Sequence, residues 1–239
     1  MTKTTFFFDL DGTLLPVDQQ KFEEIYFHGL SSRFTDMYTP QEFVGLIWGA
    51  TKAMVADTRH VTNETVFMEA LGSVVNGQLN EMQRRFEEFY LTGFDAVRQA
   101  VVENLEIQQA VRILKEKGYQ LVIATNPMFP RIAIEKRIGW TGLNREDFTY
   151  VTSFEDNHYC KPQPQFFGEL LDVLGLKSEE VVMVGNDAIE DMVAKKVGIE
   201  TYLITNHLIN KKNVAIDADH VGDYEAFLTY VESLPEVTN

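Results

Sequence analysis

The residues able to do chemistry gather where apolar runs end. Phe6-Phe7-Phe8-Asp9-Leu10-Asp11-Gly12-Thr13 closes an apolar run with two acids two residues apart. Carboxylates at the edge of a core are costly unless they are solvated or face a cation. In an open parallel sheet the ligand crevice lies at the carboxyl ends of the strands, where Asp9 and Asp11 would fall. Gly12 lets the chain turn sharply away. A second acidic pair, Asp187 and Asp191, follows the run Val181-Val182-Met183-Val184-Gly185-Asn186. Four residues apart, the two share one face if a helix starts there. Val122-Ile123-Ala124-Thr125-Asn126-Pro127 ends in a hydroxyl and an amide that can donate to an anionic oxygen, beside backbone N–H groups freed where a strand stops. Tyr159-Cys160-Lys161-Pro162-Gln163-Pro164 sets a lysine just ahead of a helix whose first turn Pro164 suits. Singly, these last two are ordinary, since Thr and Asn favour turns and a lone lysine is commonly a solvated charge. As a set they are not. Asp9, Asp11, Asp187 and Asp191 in one crevice would repel without a counter-cation. All-oxygen donors with room for water suit Mg²⁺. Thr125 and Lys161 then supply hydrogen bonds and charge for a second, anionic group. A metal, an anion site and a carboxylate at their junction fit phosphoryl transfer to an aspartate.

Such residues need strands to carry them. Short apolar runs at 4–10, 120–125, 181–185 and 201–204, with a weaker one at 148–152, read as strands buried on both faces, as in a parallel sheet covered by helices. Helical spacing separates them: Ile107, Val111, Ile113 and Leu114 before Gly118; Phe166, Phe167, Leu170, Leu171 and Leu174 before Gly175; and a stretch from near Ala188 to Gly198. A further cover helix is expected from Tyr224 to about Val231. Strand–helix alternation predicts an α/β, Rossmann-like core. Residues 16–100 differ, with helical periodicity (Met82, Phe86, Phe89, Tyr90), no convincing strand, and breaks at Thr39-Pro40, Val61-Thr62-Asn63 and Gly72 to Gly77. Four or five helices between the first and second strands are too much for a crossover and predict an inserted all-helical domain. The expected division is 1–15 and 101–239 for the core and 16–100 for the insertion.

Composition narrows the partners. The 239 residues carry 21 Lys and Arg against 36 Asp and Glu, a net charge of −15. That balance argues against nucleic acid or an anionic membrane as partner, while a local pocket for a small anion is compatible with it. The longest mildly apolar stretch, 44–55, falls short of the roughly 20 residues of a membrane helix, and the N-terminal phenylalanines end at Asp9, too soon for a signal-peptide core. One cysteine makes no internal disulfide. The expectation is a soluble, cytoplasmic protein, monomeric or homodimeric. His28, His60, His158, His207 and His220 show no close ligand spacing, against a zinc site. Cys160 has a lysine beside it but no evident histidine partner. Arg33, Lys52, Arg59 and His60 are the insertion's candidates for substrate selection, with a solvated surface as the plainer reading, and Lys211-Lys212 follows the last strong strand.

FFFDLDGT, VIATN, CKPQP and VGNDAIED, in that order, resemble the four motifs of the haloacid dehalogenase-like hydrolase superfamily. The likeness spans the whole α/β part. An insertion between the first two motifs resembles the phosphoglycolate phosphatase-like branch with its helical cap, and 126–160 is too short for the larger cap of other branches. The resemblance implies a sheet with the first strand central, and a Mg²⁺-dependent phosphatase acting on a small phosphorylated metabolite, or alternatively a phosphomutase. A silent binding or regulatory module is the reading from a different class. Under the resemblance Asp9 is the nucleophile that becomes an aspartyl-phosphate, and Asp11 the general acid and then base. Mg²⁺ is held by Asp9, the Asp11 carbonyl and Asp187, with Asp191 direct or through water. Thr125 and the Asn126 backbone bind phosphoryl oxygens, and Lys161 offsets charge. Dehalogenases of the superfamily lack an acid at the position of Asp11. The common fourth motif has Asp directly after Gly, so either Asn186 or Asp187 takes that first acidic place, with Asp187 preferred for its spacing to Asp191.

Overall fold

The three phenylalanines after Thr5 explain why the first strand is central. Phe6 and Phe8 point to one side of the sheet and Phe7 to the other, all three fully buried. A strand with no wet face must have helices on both sides. The computed structural model describes residues 3–237, so 1–2 and 238–239 of the expected core lie outside the described residues. It has six strands: β1 (Thr5–Phe8), β2 (Gln120–Ile123), β3 (Tyr150–Val151), β4 (Val181–Gly185), β5 (Glu200–Ile204) and β6 (His220–Gly222). All pair in parallel, in the order β3-β2-β1-β4-β5-β6. Phe8 lies level with Ile123 on one side and Val184 on the other, which brings the ends of β1, β2 and β4 to one edge. The order reverses there, between β1 and β4, and such a switch point opens a crevice.

One face of the sheet packs Phe6, Phe8, Ile123 and Val184 against α5 (Leu105–Glu116), α6 (Arg131–Trp140) and α8 (Tyr224–Ser233). The other packs Phe7, Val122 and Met183 against α7 (Pro164–Leu174) and a short 3-10 turn, Met192–Val197. The fold is therefore the α/β, Rossmann-like parallel sheet with helices on both faces. β1 and β2 end earlier than expected: Asp9 and Ala124 still donate to the Val184 and Phe8 carbonyls, and the chain then leaves the ladder at the sheet edge. The helix expected from Ala188 is instead a turn followed by the 3-10 segment, ended by Gly198 at φ +87°. β6 was not anticipated.

Between β1 and β2 every regular element is helical: α1 (Gln19–Ser31), α2 (Pro40–Ala56), α3 (Asn63–Gly72) and α4 (Leu79–Thr92), with 3-10 turns Ser32–Phe34 and Phe94–Ala100. The breaks follow local chemistry. Thr39 and Glu42 form a reciprocal cap with Pro40 in the first turn of α2, and Thr62 caps α3. These helices bury an apolar cluster including Phe34, Phe43, Phe86, Phe89 and Phe94, joined by Ala133 of α6. Val17 and Val101, where the chain leaves and re-enters the α/β part, pair in an antiparallel bridge. Among the described residues no helix is long and apolar enough to cross a membrane.

Candidate active site

The loop after β1 is fixed by its neighbours. The Asp9 amide donates to the Val184 carbonyl at 2.9 Å, so its carboxylate leaves the sheet at the β1–β4 switch point. Gly12 turns the chain at φ +83°, and its carbonyl accepts from the buried Tyr224 hydroxyl at 3.0 Å. A Cβ on Gly12 would overlap the side-chain amide of Asn186. Only glycine fits both the conformation and that approach.

Lys161 is 1% exposed and its ammonium joins two motifs. Nζ donates to Asp9 Oδ1 at 3.0 Å and to Asp191 Oδ1 at 2.6 Å. Asn126 clamps the lysine's backbone, its Oδ1 accepting from the Lys161 amide at 3.1 Å and its Nδ2 donating to the Lys161 carbonyl at 3.3 Å. The Asn126 side chain is thereby occupied. Thr125 beside it is buried, its carbonyl held by Thr152 Oγ1 at 2.7 Å.

The β4 loop folds around Asp191. Its Oδ2 accepts from the amides of Asn186 and Asp187, both at 2.9 Å. Both Asp191 oxygens are thus engaged by nitrogen donors. Asp187 Oδ1 accepts from the amides of Ile189 and Glu190, each at 2.8 Å, and its other oxygen receives no hydrogen bond among the described residues. The two acids are joined by this turn rather than presented on one face of a helix. Asn186, the other candidate for the first acidic place, accepts from Thr13 Oγ1 at 3.1 Å and donates to the His207 carbonyl at 2.7 Å.

Asp11 has a partner that sequence reasoning missed. Arg137 on α6 is 1% exposed and its Nη1 donates to Asp11 Oδ2. Its guanidinium also lies 4.4 Å from the Phe129 ring centroid and 6.0 Å from that of Phe22. Asp11 Oδ1 and Arg137 Nη2 are buried without partners. The signal was in the helical phase: Arg137 falls with Ala133, Ile134 and Ile138 on the face of α6 that is buried.

Burial dominates the electrostatics. It pushes the Asp9 carboxyl up to about 7, aided by Asp191 and Asp11 and opposed by Lys161. Burial likewise raises Asp11, against the pull of Arg137. For Lys161 burial works downward, but Asp191 and Asp9 outweigh it and hold the ammonium above its usual range. Burial also raises Glu190, against its hydrogen bond from Asn126, and lifts the Cys160 thiol to about 12.

Asp9, Asp11, Thr125, Asn126, Asp187 and Asp191 all line one cavity of about 860 Å³ between the sheet edge and the helical block, with Lys161 behind Asp9. Lys52, Lys211 and Lys212 line it too. Arg33, Arg59 and His60 do not: Arg33 pairs with Glu88, Arg59 with Asp57 and Glu69, and His60 stacks on His158 at 4.0 Å. Among the described residues no three His, Cys, Asp or Glu side chains form a metal cluster by themselves. The donors instead suit an ion bound by few carboxylates, a carbonyl and water. Among the described residues Asp9 Oδ2 and Asp187 Oδ2 receive no hydrogen bond, and Lys161 and Arg137 are the cations paired with the crevice acids. Mg²⁺ fits that description.

A family model described as haloacid dehalogenase-like hydrolase matches residues 3–198. A pyrophosphatase PpaX of Anoxybacillus flavithermus is 26% identical over 201 residues, covering 84% of this chain and 83% of the relative. Two solved structures share the fold. One, from Haemophilus somnus and described as a predicted phosphoglycolate phosphatase, superposes with a TM-score of 0.61 at 17% identity over 96% of this chain and 98% of its own. The other, a HAD phosphatase from Thermococcus onnurineus, gives 0.60 at 19% identity over 98% and 100%.

Proposed function

The chain belongs to the haloacid dehalogenase-like hydrolase family, and from that premise we propose that it is a Mg²⁺-dependent phosphatase of a small phosphorylated metabolite, working through an aspartyl-phosphate on Asp9. The carrying observation is the line Asp9–Lys161–Asp191 at the sheet's switch point, with Asp11 two residues on. Residues 16–100 act as a cap over that edge.

In this reading Asp9 Oδ2, free of the lysine, attacks phosphorus. The bond from phosphorus to the leaving oxygen breaks, and Asp11 gives that oxygen its proton. Burial raises the Asp11 carboxyl, the direction a proton donor needs, and Arg137 fixes its position. Asp11 then takes a proton from water, which attacks phosphorus; the bond to Asp9 breaks and inorganic phosphate leaves. Thr125 and the Asn126 backbone donate to phosphoryl oxygens. Asp9, the Asp11 carbonyl and Asp187 would hold Mg²⁺, with Asp191 reaching it through water because its oxygens serve Lys161 and the β4 loop. When bound, the ion supplies charge neutralisation for the phosphoryl group. Asp11 supports a phosphoester over a carbon–halogen bond as the one that is broken.

Release of inorganic phosphate from a panel of phosphate esters, with Mg²⁺ or with EDTA, tests this. Turnover is expected only with Mg²⁺ and is abolished in Asp9→Asn. Turnover that survives in Asp9→Asn sinks the nucleophile assignment.

A further inference from the structure

The cavity over the aspartates is much larger than a phosphate needs, and its composition says what else it holds. At about 860 Å³ it is in the range of sites that enclose an entire organic ligand. An aromatic wall starts beside Asp11. The Arg137 guanidinium that holds Asp11 lies on the Phe129 ring, and Phe129 meets Tyr26 edge-on at 5.4 Å. Tyr26 meets Phe27 at 5.0 Å, and Phe27 meets Trp48 at 5.7 Å. Each of these four rings lines the cavity, and the last, Trp48, is 44% exposed. Asp11 is the group that protonates the leaving oxygen in the reading above, so the leaving group lies on this side.

Charge on the walls points the same way. Glu64 of α3, Glu87 of α4 and Glu155 line the cavity close enough for the latter two to act on the first. Among the described residues no arginine lines it, and its three lysines, Lys52, Lys211 and Lys212, are all exposed. A second carboxylate or phosphate on the substrate would meet these carboxylates and, for cations, the exposed lysines in place of the guanidinium fork that such groups favour. Uncharged rings meet faces and edges of their own kind.

We propose that the substrate is the phosphate monoester of an alcohol bearing an aromatic ring and no second anionic group, its ring seated along Phe129, Tyr26, Phe27 and Trp48. This rests on the phosphatase reading, and it sets the chain apart from enzymes of pyrophosphate or of phosphorylated acids. The chemistry is unchanged: the bond from phosphorus to the ring-bearing alcohol breaks and the alcohol leaves with Asp11's proton.

The test compares 2-phenylethyl phosphate, ethyl phosphate, 2-phosphoglycolate and pyrophosphate with the whole protein and Mg²⁺. The first two share an alkyl leaving oxygen, so the ring is isolated from leaving-group reactivity. We expect kcat/KM for the phenylethyl ester to exceed that for each of the others by at least about tenfold, mainly through KM, as burial of a ring provides. Trp48→Ala should narrow the gap to ethyl phosphate. Preference for phosphoglycolate or pyrophosphate overturns the inference while leaving the phosphatase intact. Should none of the four be hydrolysed, the phosphatase reading fails, and calorimetric binding of the two alkyl esters decides the cavity's preference: equal affinity overturns it, and tighter phenylethyl binding upholds it.

Discussion

Lys161 holds the site together as one charge between two buried carboxylates, 3.0 Å from Asp9 and 2.6 Å from Asp191. Lys161→Met leaves both acids without a cation. Breaking a buried pair from one side costs about 3–5 kcal/mol, so urea unfolding at neutral pH should show a loss of that order. On the proposed mechanism activity should fall by about a hundredfold or more, since the charge that offsets the phosphorylated Asp9 is gone. Its neighbour Cys160 is expected to do nothing. It is fully buried with its thiol pushed up to about 12, leaving about one thiol in ten thousand ionised at pH 8. A thiol reagent at pH 8 should leave the folded protein unmodified and label it once in urea; fast labelling of the folded protein would contradict this burial. At this scale the acids were readable because charge at the end of an apolar run stands out. Arg137 was not, because Lys136-Arg137 looks like any solvated pair until α6 is given its phase. The occupation of both Asp191 oxygens was likewise hidden, as it depends on how the 186–191 turn closes in space.

At the scale of elements, two glycines separate strain from site geometry. Gly175 ends α7 at φ +64°, and a Cβ there would meet nothing within 4 Å. Gly175→Ala should therefore cost about 1–2 kcal/mol of stability from the left-handed backbone alone, with kcat unchanged. Gly12 has the same kind of backbone but Asn186 in the way of a Cβ. Gly12→Ala should cost more and also lower kcat, because relief of the overlap moves either the Asp9–Gly12 loop or Asn186. Thermal unfolding and steady-state kinetics on the pair check both; equal effects on kcat would remove the special role of Gly12. The strands that carry these turns were legible for a physical reason, since a sheet covered on both faces leaves unbroken apolar runs. β6 escaped because it is an edge strand, with Val221 half exposed between His220 and Gly222. The 188–198 segment misled because Gly198 ends a 3-10 turn as readily as a helix.

The whole molecule is bound across the crevice by side-chain and backbone hydrogen bonds between its two parts. Gln163, two residues beyond Lys161, donates from Nε2 to the carbonyls of Val55 at 2.6 Å and Asp57 at 2.9 Å, at the end of α2. At the start of α3, the Asn63 amide donates to the Asn157 carbonyl at 2.9 Å, its Nδ2 to the Pro127 carbonyl at 3.3 Å, and the Glu64 amide to the Phe154 carbonyl at 2.9 Å. Ala133 of α6 lies in the helical block's own cluster. The segment between α2 and α3 is thus fastened at both ends to the loops that carry Lys161 and Asn126. Movement of the helical block away from the sheet has to break these bonds, so it is mechanically linked to the loop that carries Lys161. Gln163→Ala removes two of the bonds without touching a site residue. It should lower stability by about 1–3 kcal/mol and speed proteolytic cleavage within residues 57–62 several-fold, because cleavage requires that segment to lift off. Unchanged cleavage in Gln163→Ala would mean that its two side-chain bonds do not hold the segment down.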